Sequence, residues 1–365
     1  MRRLGSGAIT VLKEQWKNSI EAFNTNSILP TDEWDVNTEA NLKRLNKKNS
    51  IWNFEKSFLN PHDKAAVIVG ASPCLKRDVN ALKKCTRKDF AIFCVNSALK
   101  FLLSHGVKPD YVVAMDSDDH DIYDHLDVDS KGLTLIASNV VSPRVLDAWK
   151  GKIWFFPYLG MKKELRPKVH RKLGKTLPIG GNTFNTTVSM AINIFGARIL
   201  IFVASECCYD KHYYVDKKIS RNNNSVNEFY VMDVDGNRKV TTTALFTYKI
   251  WIEEMAKHIH PHIKIIDTSF GILGKRDENS KIYVYRLPEI IIKVKEAAEK
   301  KRRINADPVL LNAALRQQIA GREVSGGNGG TDVRDSDSTS RKGGGGLPEM
   351  CSTQDIERHS EGTTT

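Results

Sequence analysis

A chain of 365 residues with 41% hydrophobic content holds enough apolar material for a full core, in one large domain or two smaller ones. No apolar run approaches the ~20 residues of a membrane span, and no secretory apolar stretch follows the N-terminal MRR, so neither a membrane-spanning nor a secreted class is expected. The net charge of +12 attracts anions in general, but the basic residues are spread widely and no zinc-finger or RNP signature accompanies them, so specific nucleic-acid recognition is not expected.

Residues 1–60 are polar, with scattered aromatics at Trp16, Phe23, Trp34, Trp52 and Phe54, and read as a helical N-terminal extension. From 65 to 204 strand and helix patterns alternate. The first strand is Ala65–Gly70, a continuous small or branched apolar run of the kind a buried parallel strand requires. A turn, Gly70-Ala71-Ser72-Pro73, leads straight into a helix over 75–84, where Leu75, Val79 and Leu82 recur at helical spacing. Further strands are expected at Phe90–Val95, Tyr111–Met115, Leu133–Ala137, Ile153–Phe156 and Arg198–Ala204. Helices are expected at Ser97–His105, Pro143–Trp149 and Asn182–Phe195, with Ser142-Pro143 as an N-terminal cap and Gly106 and Gly196 at C-terminal positions. Strands alternating with helices predict an α/β fold: a Rossmann-like, mostly parallel sheet with helices on both faces.

Beyond 204 the pattern changes. Two β-prone runs flank Asp235-Gly236 within 228–243, a hairpin signal. A helix over Ala244–His258, a strand over Ile263–Asp267 and an amphipathic helix over Pro288–Arg303 follow. After Glu323 the chain is Gly, Ser, Thr and charge, which predicts a disordered C-terminal tail. That tail holds seven acidic and four basic residues, a net −3, so residues 1–323 carry +15. The expected division is 1–60, 61–305 and 306–365. The six cysteines, at 74, 85, 94, 207, 208 and 351, include no CxxC pair, which predicts reduced thiols and a cytoplasmic location. Cys207-Cys208 reads as a buried strand end without a base beside it.

In an open parallel sheet, ligands bind beyond the carboxyl ends of the strands. That rule collects the polar loops: Gly70-Ala71-Ser72-Pro73, Asn96, Asp116 to Asp119, Gly180-Gly181-Asn182-Thr183, and Glu206 with His212. A strand–turn–helix junction presents backbone N–H groups and a positive helix end, which suits phosphate. The glycine spacing at Gly70 is neither the dinucleotide fingerprint nor a Walker loop, and an ordinary tight turn fits it as well. Asp116 and Asp118 are the candidate Mg²⁺ ligands, since hard cations take carboxylate oxygens; a solvated loop or helix cap is the alternative. The Gly180-Gly181 turn either admits a phosphate or only caps the helix through Asn182 or Thr183. His212 is the candidate general base, with a surface histidine as the alternative.

The segments GASPCL, VNSALKFLLSHGVKPDYVVAMDS and IGGNTFNTTVSMAINIFGARILIFVASE, followed by Tyr209, Asp210 and His212, resemble the 6-hydroxymethylpterin diphosphokinase MptE-like family, which includes the motility-associated Maf flagellin glycosyltransferases. VMDVDGNRKVTTTALFTYKIWIEEM and IIDTSFGILG resemble its C-terminal part, so the resemblance covers roughly residues 40–295. It implies a single Rossmann-like transferase core acting on a nucleotide-activated substrate. One family chemistry moves a diphosphate from ATP to a pterin alcohol; the other moves a nonulosonic sugar, with CMP as the donor nucleotide. The resemblance places Gly70, Ala71, Ser72, Pro73, Asn96, Asp116 and Gly180 to Thr183 in the nucleotide site, and matches His212 to a family histidine. The family commonly carries Gly-Gln-Asp where this chain has Ala204-Ser205-Glu206, which makes Glu206 the candidate replacement for the acid.

Together these readings predict a nucleotide-dependent transferase with His212, Asp116 and Glu206 as catalytic groups. Backbone N–H groups at Gly70–Ser72 and Gly181–Thr183 would hold the donor phosphate. Glycosyl transfer from a CMP-sugar to an acceptor hydroxyl (on a glycan or protein) is the first expectation, and ATP- and Mg²⁺-dependent pterin diphosphate transfer the second. A member that binds nucleotide without turning it over is the third.

Overall fold

The computed structural model describes residues 31–56, 64–117, 125–158, 162–216, 228–274 and 280–306. The chain divides into one unit over 1–303 and a second from 304, and all that follows concerns the first. The strands are β1 Ala65–Val69, β2 Phe90–Val95, β3 Tyr111–Ala114, β4 Thr134–Ser138, β5 Lys152–Phe156, β6 Ile199–Val203, β7 Glu228–Met232, β8 Arg238–Thr242, β9 Lys264–Asp267 and β10 Ile282–Val284. The helices are α1 Thr31–Asn41, α2 Leu75–Leu82, α3 Leu99–Ser104, α4 Pro143–Ala148, α5 Arg166–Leu173, α6 Thr183–Asn193, α7 Thr243–His258 and α8 Leu287–Ala306. Of these, α5 and β10 went unread in the sequence. The tail after 306 and residues 1–30 of the N-terminal extension lie outside the described residues.

Eight strands form one sheet in the order β10-β9-β6-β1-β2-β3-β4-β5, and every pair is parallel. β1 lies inside the sheet, with all five residues buried. Successive strand side chains point to opposite faces. Ala65, Val67 and Val69 accordingly join one core with Leu75, Val79 and Leu82 of α2, while Ala66 and Ile68 join the other with Val188 and Met190 of α6 and Ile252 of α7. Each of the valine, leucine, isoleucine and methionine side chains contributes about 1.5–3 kcal/mol by leaving water. The chain runs from β1 outward to β5, then crosses back to lay β6 on the other side of β1. The strand order therefore reverses between β1 and β6, the place where an open α/β sheet forms its crevice.

Two segments cover the carboxyl rim from either side. α1 lies over the ends of β3, β4 and β5, held by polar groups. Asn37 Nδ2 donates to Ser117 O at 3.2 Å and Val140 O at 3.0 Å. Asn41 Nδ2 donates to Asn139 O at 3.0 Å and Val141 O at 2.8 Å. Asp35 accepts from the Lys162 amide at 2.7 Å and pairs with its ammonium at 3.1 Å, and Trp34 meets Tyr158 edge-on at 4.9 Å. On the opposite side, β7 and β8 form the expected antiparallel hairpin. Its turn places Gly236 at φ +82°, a left-handed conformation that glycine adopts freely. The hairpin is anchored where Tyr209 and Val240 exchange backbone bonds, where Thr241 Oγ1 donates to Cys207 O at 2.8 Å, and where Val234 N donates to Gly271 O at 2.9 Å. In the sheet order, β1 and β2 lie between these two covers.

Candidate active site at the strand reversal

The crevice begins with a close approach. The Gly70 amide donates to Val203 O at 2.8 Å and the Ser72 amide to Ala204 O at 3.2 Å, so the turn after β1 is stitched to the end of β6. A Cβ at Gly70 would collide with the Ala204 carbonyl and stand 3.3 Å from the Phe184 ring, which is why only glycine fits. Phe184 belongs to the first turn of α6. The N-termini of α2 and α6 thus both arrive at the end of β1. Two of the amides expected to cradle phosphate, those of Gly70 and Ser72, are committed to β6 carbonyls here.

The α2 end carries a carboxylate. Glu206, just past β6, accepts the Cys74 amide on Oε2 at 3.2 Å. Burial raises its proton affinity, and the Cys74 donors pull the other way. The Cys74 thiol lies well above its ordinary value, first through burial and then through Glu206. One turn along α2, Arg77 donates to Thr268 O at 2.6 Å, pairs with Asp78 at 2.7 Å and stands 5.2 Å from the Phe270 ring centroid. Lys239 of β8 pairs with Asp210 at 2.7 Å and adds positive charge on the hairpin side.

At the α6 end, Asn182 caps the helix by accepting the Asn185 amide at 2.7 Å. Asn185 Nδ2 returns to Gly180 O at 2.8 Å, and Trp251 packs on Gly180 closely enough that a Cβ there would stand 2.5 Å from its ring. Gly181 takes φ +82°, and Thr183 is buried. Asn96 is buried in the first position of a short turn after β2, beside the Gly70 loop in the sheet order. Asp116 is exposed just past β3, where its charge raises the Tyr158 proton affinity already lifted by burial. Asp118 lies outside the described residues. Among those described, no three His, Cys, Asp or Glu side chains group to hold a metal ion. His212 is exposed on the stretch after β6, which returns to the loop where Val215 N donates to Ala71 O at 2.8 Å.

Backbone strain gathers here too. Ala204, Cys207 and Phe270 have φ of +54°, +53° and +63°, conformations that cost side-chain-bearing residues about 1–3 kcal/mol each. All three lie just beyond β6 or β9. Cys207 is partly exposed and Cys208 buried; burial pushes the Cys207 thiol up to about 12 and raises that of Cys208 as well, so neither is poised as a nucleophile. Arg77, Lys239 and Asp267 are rim groups that the sequence reading did not single out. For Asp267 a signal was present: IID ends an apolar strand in an acid, as VVAMD does at Asp116.

Fold and crevice define a Rossmann-like α/β domain with two helix N-termini, a carboxylate and a guanidinium at its strand reversal. Residues 36–212, just under half of the chain, match the family model described as "6-hydroxymethylpterin diphosphokinase MptE-like". The match begins inside α1 and takes in its second half. Among solved structures, the fold is similar to that of the Maf glycosyltransferase from Magnetospirillum magneticum AMB-1, with a TM-score of 0.51 and 18% identity over 75% of this chain. The aligned part is 42% of that protein, so this chain spans less than half of its length. A search of curated proteins gave no match. Among the described residues, no helix is long and apolar enough to cross a membrane.

Proposed function

We propose that this protein is a transferase that binds a nucleotide-activated substrate in the β1/β6 crevice, and that the group it moves is a sugar. The observation that carries this reading is the meeting of the α2 and α6 N-termini at Gly70, since two positive helix ends beside one glycine turn favour a phosphate. The likeness of the fold to a glycosyltransferase favours a sugar donor. In this reading the donor phosphate takes the Cys74 amide and faces Arg77 and Lys239, which offset the charge that develops on the leaving nucleotide. Glu206 then leaves that amide. Its carboxylate, made more basic by burial, takes the proton of the acceptor hydroxyl. Asp116, across the rim, orients the acceptor, and His212 on the returning stretch is the other base within the segment.

A second reading, diphosphate transfer from ATP to a pterin alcohol, is favoured by the family's own description. Here Asp116 would be a Mg²⁺ ligand, together with Asp118. The two readings part on their products. Incubation with CMP-sialic acid and a hydroxyl acceptor should release CMP. Incubation with ATP, Mg²⁺ and 6-hydroxymethyl-7,8-dihydropterin should release AMP if the second holds. Release of neither, with nucleotide still bound, would select a binding protein.

A further inference from the structure

We infer that Asp267 is a positioning residue for this crevice: its carboxylate ties the loop after β9 to the loop after β6, and that tie sets Arg77 and Glu206 at the mouth. The inference rests on the reading that the crevice takes a nucleotide phosphate. Asp267 is wholly buried at the end of β9. Its Oδ1 accepts from Ser205 Oγ at 3.2 Å, and its Oδ2 accepts from the Ser269 amide at 3.2 Å and the Phe270 amide at 3.3 Å. Ser269 Oγ completes the tie by accepting the Ser205 amide at 2.8 Å.

The tied loop carries both groups of the mouth. Thr268 offers the carbonyl that receives Arg77, and the Phe270 ring lies near both Arg77, at 5.2 Å, and Arg286, at 5.7 Å. Ile272 N donates to Glu206 O at 3.0 Å, and Gly271 packs so closely on the Glu206 backbone that no Cβ fits between them. Phe270 holds its left-handed turn while its amide is bonded to Asp267. A shift of this loop therefore moves the guanidinium and the carboxylate together. A buried aliphatic side chain would fill the same space, but it would leave the Ser269 and Phe270 amides without their acceptor.

The same tie is sensitive to protonation. Burial pushes the Asp267 carboxyl up to about 7, against the pull of its Ser269, Ser205 and Phe270 donors. Of the charged and titratable groups packed about this loop, Cys207 interacts with Asp267 and in turn with Lys249 and Glu253 of α7 and with Glu206, while Arg77 and Arg286 reach the loop at Thr268 and Phe270. Opening the tie frees the carboxyl to ionise in water, so the tie opens more readily as pH rises toward about 7.

The test measures site-resolved amide exchange and CMP binding on the full chain, from about pH 6 to about pH 8, in wild type, Asp267→Asn and Arg77→Gln. In Asp267→Asn, exchange at the Cys74 and Phe270 amides should accelerate about tenfold while β1 stays protected, and CMP affinity should fall about tenfold, as in Arg77→Gln. After division by the intrinsic, base-catalysed exchange rate, wild-type protection at these two amides should fall as pH rises toward about 7 and then level off, and the variant should lose that step. An Asp267→Asn protein with wild-type CMP affinity and unchanged Cys74 exchange overturns the inference. If wild type binds neither CMP nor ATP, the phosphate reading fails. Cys74 exchange then decides the tie by itself: acceleration supports it and no change overturns it. Should Asp267→Asn not fold, Ser205→Ala removes one leg of the tie and is read in the same way.

Discussion

The Glu206 carboxylate sits on the Cys74 amide, 3.2 Å away, at the helix end where a ligand phosphate would bind. The chain thus supplies its own anion to the α2 N-terminus. A phosphate arriving there must displace it or share the space with a negative charge.

Glu206→Gln separates these roles. It keeps the size of the side chain and an acceptor oxygen for the Cys74 amide while removing the charge. CMP affinity should rise severalfold because the competing anion is gone. Turnover should fall by roughly 10²-fold or more, since no base remains at that position. Calorimetric titration and a CMP-release assay read the two separately; unchanged turnover would remove Glu206 from the chemistry.

Asp116→Asn tests the other side of the rim. If Asp116 orients a substrate or a metal, activity should drop by roughly 10²-fold with little change in melting temperature. Asn caps a helix nearly as well as Asp. Full activity in the variant would therefore leave Asp116 a purely local role.

Asn41→Ala probes the helix across β3–β5. The change strands the carbonyls of Asn139 and Val141 beneath α1. A loss of about 2–6 kcal/mol is expected at roughly 1–3 kcal/mol for each stranded group, measured as a lower urea midpoint. Activity at a temperature where the variant stays folded should change little, because the phosphate-facing groups lie beyond β1 and β6.

Asp267 gives the domain a pH signature. Its folded value is raised from 3.8 to about 7, so between these values the folded chain keeps a proton that the unfolded chain has lost. Stability from this group is therefore full below the unfolded value and falls as pH rises through about 7. The raised Glu206 adds a contribution of the same sign. Against Asp267→Asn, wild type should lose on the order of 4 kcal/mol across that window, at 1.36 kcal/mol per unit. Urea unfolding at several pH values measures the slope, and parallel curves for the two proteins would contradict it.

Much of the sheet was legible because β1, β2, β4 and β6 are apolar runs long enough to announce burial on both faces, and glycine or cap residues mark several of the helix ends. β10, only three residues with two of them half-exposed, carries too little pattern to read. α5 is half cationic and buries only Val169 and Leu173. α1 was read only as a helical extension, because side-chain amides bonded to distant loop carbonyls hold it and no apolar stripe marks its seat. The rim loops could be collected from strand order alone. What the sequence could not show is which amides there are already engaged: nothing in GASPC says that Gly70 and Ser72 donate to β6, or that Cys74 meets a glutamate 132 residues away.

The seat of α1 also bears on how the protein is made. α1 leaves the ribosome before any of its partners, and the carbonyls that receive Asn37 and Asn41 lie 80 to 103 residues further along. At about 5–20 residues per second, the helix waits several seconds before it can dock. A strongly amphipathic helix would spend that interval exposing an adhesive face to the nascent chain and to chaperones. A helix addressed by side-chain amides has its partners only once β3, β4 and β5 are made, and can dock before β6 is synthesised.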